Sequence, residues 1–106
     1  MANKHNGEVS LTVDGKTFTL KLTHNRAANA EPLLGTSIFN VVGKGVSFIR
    51  ALFYVMAVGQ EGIETIDDAG DLLDKDPVAI TAAVSEATSF FFQKYSQETK
   101  SKAQGS

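Results

Sequence analysis

The sequence has no cysteine, no excess of positive charge and no long apolar run. Without cysteine, the chain can form neither a disulfide framework nor a thiol nucleophile nor a cysteine zinc site. Its net charge of -2 gives no electrostatic driving force for general nucleic-acid binding. The densest apolar run, Phe48 to Val58, is interrupted by Arg50 and is far shorter than the roughly 20 residues of a membrane-spanning helix. The sequence therefore predicts a protein that binds neither nucleic acid nor membrane.

The overall composition is that of a folded globule. Hydrophobic residues make up 42% and charged residues 21% of the 106 residues, and this length suits one domain. The start of the chain, Met1 to Gly7, lacks the apolar stretch of a secretory signal, so we expect the protein to stay in the cell that makes it. We expect a single domain over residues 1–97 and a disordered tail over residues 98–106, because the tail is polar and its side chains pack no core.

The first element is predicted to be a β-hairpin over residues 8–22. Two runs of alternating apolar and polar residues flank Asp14-Gly15, a dipeptide that favours a two-residue type I′ turn because both central residues need positive φ. One side of the hairpin is apolar, so it must pack against other elements. The turn sets the cross-strand pairs on that side, Leu11 with Phe18 and Val9 with Leu20.

Residues 24–97 are predicted to be helical, which makes the fold α+β and mostly α: an N-terminal hairpin packed on a bundle of four to five short helices. Proline at position 32 would kink or shorten the first helix. The third helix has apolar residues on nearly all of its sides, which is typical of a central or shared helix. The expected helices cover 24–34, a short segment after Thr36 or Ser37, 48–58 with Ser47 as N-cap, 66–74 with Thr65 and Asp68 as a capping box, and 77–97 after Asp76.

No catalytic constellation emerges from the sequence. His5 and His24 lie far apart among polar residues, and we interpret both as surface side chains. The acidic residues between Asp67 and Asp76 lack the order of a calcium loop, and we interpret them as a solvated face. The short Gly43-Lys44-Gly45 segment is interpreted as a helix break. We therefore predict that the protein is not an enzyme and has no metal and no cofactor.

The run Phe90-Phe91-Phe92 exceeds what folding requires. The core stripe of the last helix contains Ile80, Ala83, Val84, Ala87, Phe91 and Tyr95. Phe92 points roughly 100° away from the neighbouring Phe91, so either another part of the fold, such as the hairpin, covers it or it belongs to an interface. We predict a self-association or client surface formed by the following aromatic residues: Phe53, Tyr54, Phe90, Phe92 and Tyr95.

The N-terminal pattern resembles a phage protein family. Gly7-Glu8-Val9, Asp14-Gly15-Lys16 and the preceding basic stub Asn3-Lys4-His5 are similar to the opening of the tail assembly chaperones of siphophages and gene transfer agents. The stop at Leu34-Gly35 also matches the end of their first helix. The sequence departs from the family within that helix, at Asn29, Pro32 and Leu33.

The resemblance implies a role in virion morphogenesis in the cytoplasm of a bacterial host. Such chaperones coat the long tape measure protein and keep it soluble until the tail tube displaces them, so the tape measure protein and the tail tube protein are the implied partners. The resemblance supplies no catalytic residues. The alternative, from a different class, is a structural subunit that stays in the mature tail.

Overall fold

The computed structural model describes residues 6–35, residue 37 and residues 45–104, and for residues 96–104 it describes the backbone alone. The elements are β1 (Val9–Val13), β2 (Lys16–Leu20), α1 (His24–Leu34), α2 (Val46–Ala57), α3 (Ile66–Lys75) and α4 (Pro77–Gln104). The predicted α+β, mostly α architecture is confirmed. The short helix expected after Thr36 or Ser37 lies outside the described residues, apart from Ser37 itself.

The hairpin has the predicted turn and the predicted register. Asp14 and Gly15 have φ values of 54° and 75°, as a type I′ turn requires. Leu11 pairs with Phe18, and Val9 with Leu20. The apolar face of the hairpin is buried against the helices, with β1 in contact with α4 and β2 in contact with α2.

A glutamine side chain holds the outer edge of β2. The Gln60 amide accepts a hydrogen bond from the Thr19 backbone N–H at 3.0 Å and donates one to the Thr19 carbonyl at 3.0 Å. It also donates to the Met56 carbonyl in α2, at 3.1 Å. Gln60 therefore ties the hairpin to α2 and satisfies part of an exposed strand edge, which would otherwise offer unpaired backbone groups.

The first helix has its predicted bounds, and Pro32 does not shorten it. The Thr23 hydroxyl accepts a bond from the Arg26 N–H at 3.2 Å and caps its start. Pro32 lies in the last turn, and α1 continues to Leu34 before it ends at Gly35, whose φ is 72°. Proline removes only one backbone donor, and so close to the helix end it breaks little of the helix, so the predicted bounds, 24–34 with the stop at Gly35, are confirmed.

The expected N-cap of the next helix is also wrong. Helix α2 begins at Val46, one residue before Ser47, and Gly45 precedes it without any side-chain capping bond. Ser47 thus lies inside the first turn. The interpretation of α2 as a central helix is correct, because after its exposed first two residues its side chains are buried on nearly all sides, and only Ile49, Arg50 and Tyr54 are half-buried.

Helix α3 begins with the predicted capping box. The Thr65 hydroxyl accepts a bond from the Asp68 N–H at 3.3 Å, and the Asp68 carboxylate accepts bonds from the N–H groups of Glu64 and Thr65, both at 2.9 Å. These backbone bonds stabilise the ionised carboxylate and lower the pKa of Asp68 below its ordinary value.

The lowered pKa of Asp68 predicts a pH-dependent contribution to stability. A depressed folded-state pKa stabilises the fold above the ordinary aspartate pKa of about 4, and this contribution is lost as the pH falls through the lower folded-state value. We expect Asp68→Asn to lower the melting temperature at pH 6 and to lower it progressively less below about pH 4. Melting curves of both proteins across this range measure the effect, and a difference that does not change with pH would contradict it.

The last helix is capped as predicted and extends further than predicted. The Asp76 carboxylate accepts a bond from the Ala79 N–H at 3.1 Å, and the stripe from Ile80 to Phe91 is buried. The backbone of α4 continues to Gln104, past the expected end near Gln97. Residues 98–104 are rich in strong helix formers, and adding residues to an existing helix is far easier than nucleating one. None of the helices in the described ranges is long and apolar enough to cross a membrane.

Candidate protein-binding groove

An elongated groove lies along one side of α4. Its volume is about 1120 Å³, which is large for a chain of this size, and we call it the α4 groove. The floor is one stripe of α4, one wall is the start of α2, and the other is the end of α3. The described lining residues are Pro77, Thr81, Ser85, Thr88, Ser89, Phe92 and Gln93 from the floor, and Gly45, Val46, Phe48, Ile49, Leu73 and Asp74 from the walls.

The floor of the groove is made largely of small hydroxyl side chains. Thr81, Ser85 and Ser89 are exposed and leave room for another chain to approach α4 closely. Thr88 is only 5% exposed, and its Oγ1 has no hydrogen-bond partner among the described residues. An unsatisfied buried hydroxyl costs about 1–3 kcal/mol, so a polar group that reached Thr88 would relieve this penalty.

The apolar part of the groove lies around Phe92 and the start of α2. Phe48 is buried, Ile49 and Phe92 are half-buried, and Val46 is 72% exposed. The Phe92 ring lies 5.8 Å from the Phe91 ring. Val46, Ile49 and Phe92 therefore present apolar surface in the groove, and aromatic side chains such as Phe92 are enriched at the centres of protein interfaces.

The charge of the groove is acidic. Asp74 is the only charged residue among its described lining residues, and it is exposed together with Asp67 and Asp71 on the outer face of α3. The nearby Lys75 instead points to the hairpin turn, where its Nζ lies 3.3 Å from the Asp14 carboxylate. The end of the groove beside α3 is thus suited to a basic partner.

The structure places Phe92 in this groove. The sequence left open whether the hairpin covers Phe92. No hairpin residue is among the described lining residues of the groove, whereas Asn6 and Gly7, just before β1, line a separate cleft together with the neighbouring Phe90. Phe92 therefore lies on the face of α4 that carries Thr81, Ser85 and Ser89, as its helical position predicts.

Phe90 and Tyr95 belong to a second, smaller cleft. This cleft of about 610 Å³ lies between the start of the hairpin, the start of α1 and the end of the packed part of α4. The His24 ring lies 5.1 Å from the Phe91 ring and 6.2 Å from the Tyr95 ring, and Lys21 and Lys94 also line the cleft. The five predicted partner-binding residues therefore do not form one continuous surface.

The prediction is wrong for Phe53. Its side chain is fully buried, and its ring packs edge-on against Phe18 of β2, with the centroids 5.8 Å apart. The hairpin covers the side of α2 that the helical pattern alone indicates as free. Tyr54 is half-buried, and its hydroxyl lies 3.5 Å from the Glu64 carbonyl. It is not among the described lining residues of the α4 groove or of the second cleft.

The sequence missed the two walls of the groove. Phe48 and Ile49 lie in a helix that is apolar nearly all round, so periodicity gave no signal of which side faces the opening. Within the described part of the chain, no group of three histidine, aspartate or glutamate side chains is arranged to hold a metal ion. Comparisons with protein-family models, with curated proteins and with solved structures give no match to this chain.

Proposed function

We propose that this protein is a tail assembly chaperone, which binds the tape measure protein of a phage or gene transfer agent tail and keeps it soluble in the bacterial cytoplasm during morphogenesis. The observation that supports this most is the α4 groove, which presents apolar surface around Phe92 on the outside of a small domain. A concave surface that combines apolar side chains with a few polar groups is typical of a binding site. The hairpin with its Asp14-Gly15 turn supplies the family resemblance.

The proposed mechanism is reversible covering of a client. Apolar stripes of the tape measure protein would aggregate in water, and burial against the groove removes them from water at roughly 25 cal/mol per Å² of apolar surface. Polymerisation of the tail tube around the tape measure protein then competes for the same stripes and releases the chaperone. No step in this cycle requires a catalytic residue or a cofactor.

Co-expression tests the proposal. We expect the tape measure protein encoded in the same genome to be mostly insoluble alone and to move into the soluble fraction when this chain is present. An unrelated small protein expressed at the same level is the control. A tape measure protein that stays insoluble, or that is soluble by itself, would contradict the chaperone role.

The content of mature particles distinguishes the alternative. A chaperone is absent from purified tails, because the tail tube replaces it, whereas a structural subunit is present in a fixed ratio to the tube protein. Mass spectrometry of purified particles measures this ratio. A stoichiometric amount of this chain in the particles would favour the structural role.

A further inference from the structure

The α4 groove is long and follows the axis of one helix. Its floor extends from Pro77 to Gln93, about 24 Å at 1.5 Å per residue, which corresponds to between about four and five helical turns. A helix satisfies its own backbone hydrogen bonds and can lie in such a groove through side chains alone. An extended strand would leave backbone groups unpaired against α4, which has no free peptide groups along this floor. The shape therefore favours a helix as the occupant.

We propose that the α4 groove binds an amphipathic helix of a partner protein, with an apolar stripe against Val46, Ile49 and Phe92 and a basic side chain beside Asp74. That this partner is the tape measure protein rests on the function proposed above. The bound segment is then a helix of about 16 residues with a basic end. It binds at the floor of α4 rather than at the cleft near His24.

The buried Thr88 hydroxyl supports a bound chain in the half of the floor nearer to Phe92. Thr88 lies between Ser85 and Ser89 along the groove, and its Oγ1 has no partner within the described part of the protein. A buried hydroxyl is normally hydrogen-bonded. A serine or an amide side chain on the partner helix supplies that bond after a small rotation of the threonine side chain, and the small residues on both sides allow the approach.

The charges select the kind of helix. Asp74 lines the groove beside the start of α4, and Asp71 lies one turn earlier on the exposed face of α3. A lysine or arginine at the matching end of the partner helix gains attraction, whereas an acidic residue is repelled. The end of α4 in a second copy does not fit this description, because residues 98–104 contain no apolar side chain larger than alanine.

Peptide binding to the full chain tests the inference. The probe is a fluorescein-labelled amphipathic helix of about 16 residues, the length of the groove, with a leucine stripe and either lysine or glutamate at one end. We expect the lysine peptide to bind about twofold to fivefold more tightly than the glutamate peptide, as exposed ion pairs allow. In Asp74→Lys, this order reverses. Equal binding of both peptides to the two proteins would overturn the charge assignment.

A groove-filling variant tests the location. Ser85 is exposed on the floor, so we expect Ser85→Trp to leave the fold intact and to weaken binding of the lysine peptide at least about tenfold. Ala82→Trp, which places the same residue on an exposed position of α4 outside the groove, is the matched control and binds normally. Ser89→Trp repeats the test at a second exposed position of the floor. Unchanged binding in both groove variants would overturn the inference.

Measurements on the same variants without peptide distinguish two other possible occupants of the groove. If Ser85→Trp lowers the sedimentation mass, a second copy occupies the groove. If it lowers the melting temperature by many degrees while Ala82→Trp does not, the protein's own chain fills the groove. Either result overturns the inference.

The groove assignment and the chaperone function can fail separately. If Ser85→Trp still solubilises the tape measure protein, the groove assignment fails and the chaperone function stands. If the peptide binds but the tape measure protein stays insoluble, the groove assignment stands and the function fails.

Discussion

Phe53→Ala is expected to lower the free energy of unfolding by about 3–5 kcal/mol, the usual cost of removing a buried phenylalanine ring. Phe53 is fully buried between α2 and β2 and packs edge-on against Phe18. Its loss opens a cavity at the junction of the hairpin and the helices, and a two-stranded hairpin has little stability without that support. Because domains of this size are stable by only about 5–15 kcal/mol, the variant comes close to unfolding.

Urea denaturation of wild type and variant measures this loss. Tyr54→Ala is the matched control, since Tyr54 is the next residue of α2 but is half-buried, and we expect it to cost distinctly less. A loss below about 1 kcal/mol for Phe53→Ala, far under the usual cost of a buried aromatic, would show that Phe53 is not part of the core. Phe53 would then be an interface residue, as the helical pattern of α2 predicts.

Phe92→Ser is expected to have its main effect on binding. Central aromatic residues of an interface contribute about 2 kcal/mol or more, which corresponds to roughly a 30-fold loss of affinity. Phe92 is half-buried in the α4 groove, so its removal exposes no fully enclosed core space. We therefore expect a smaller fall in melting temperature than for Phe53→Ala, together with the large loss of affinity for the tape measure protein.

Thermal melting and a binding titration on the same preparation distinguish the two roles of Phe92. Val78→Ser is the control, because Val78 is an exposed apolar residue of α4 outside the groove and should change neither quantity much. Phe92→Ser melting as low as Phe53→Ala, with the remaining folded protein binding normally, would make Phe92 a plain core residue.

The parts of the fold that could be predicted are those set by local signals. The Asp14-Gly15 turn and the alternation of the flanking residues determine the hairpin register together. The capping box of Thr65 with Asp68 and the cap at Asp76 depend only on residues a few positions apart. The stripe on α4 gave its buried face as far as Phe91 and the different direction of Phe92, since both follow from the helical period, but Tyr95, at the end of the predicted stripe, is exposed.

The errors come from contacts between elements distant in sequence. Phe53 is buried because the hairpin, more than thirty positions earlier, packs on its side of α2, and no pattern within α2 contains that information. The sequence pattern places Gln60 in a loop, yet its side chain connects β2 to α2 through the backbone of Thr19 and the carbonyl of Met56. The groove arises where three helices diverge, so its walls and its acidic end could only be found in the assembled fold.

Hydrogen exchange of this protein, measured alone and after mixing with the tape measure protein, tests whether the α4 groove is the client-binding surface. If it is, exchange slows along α4 from Thr81 to Gln93 and at the start of α2, with little change in the hairpin or near Gln60. Exchange that is unchanged throughout α4, or slowed only around the cleft of His24 and Tyr95, would contradict this assignment.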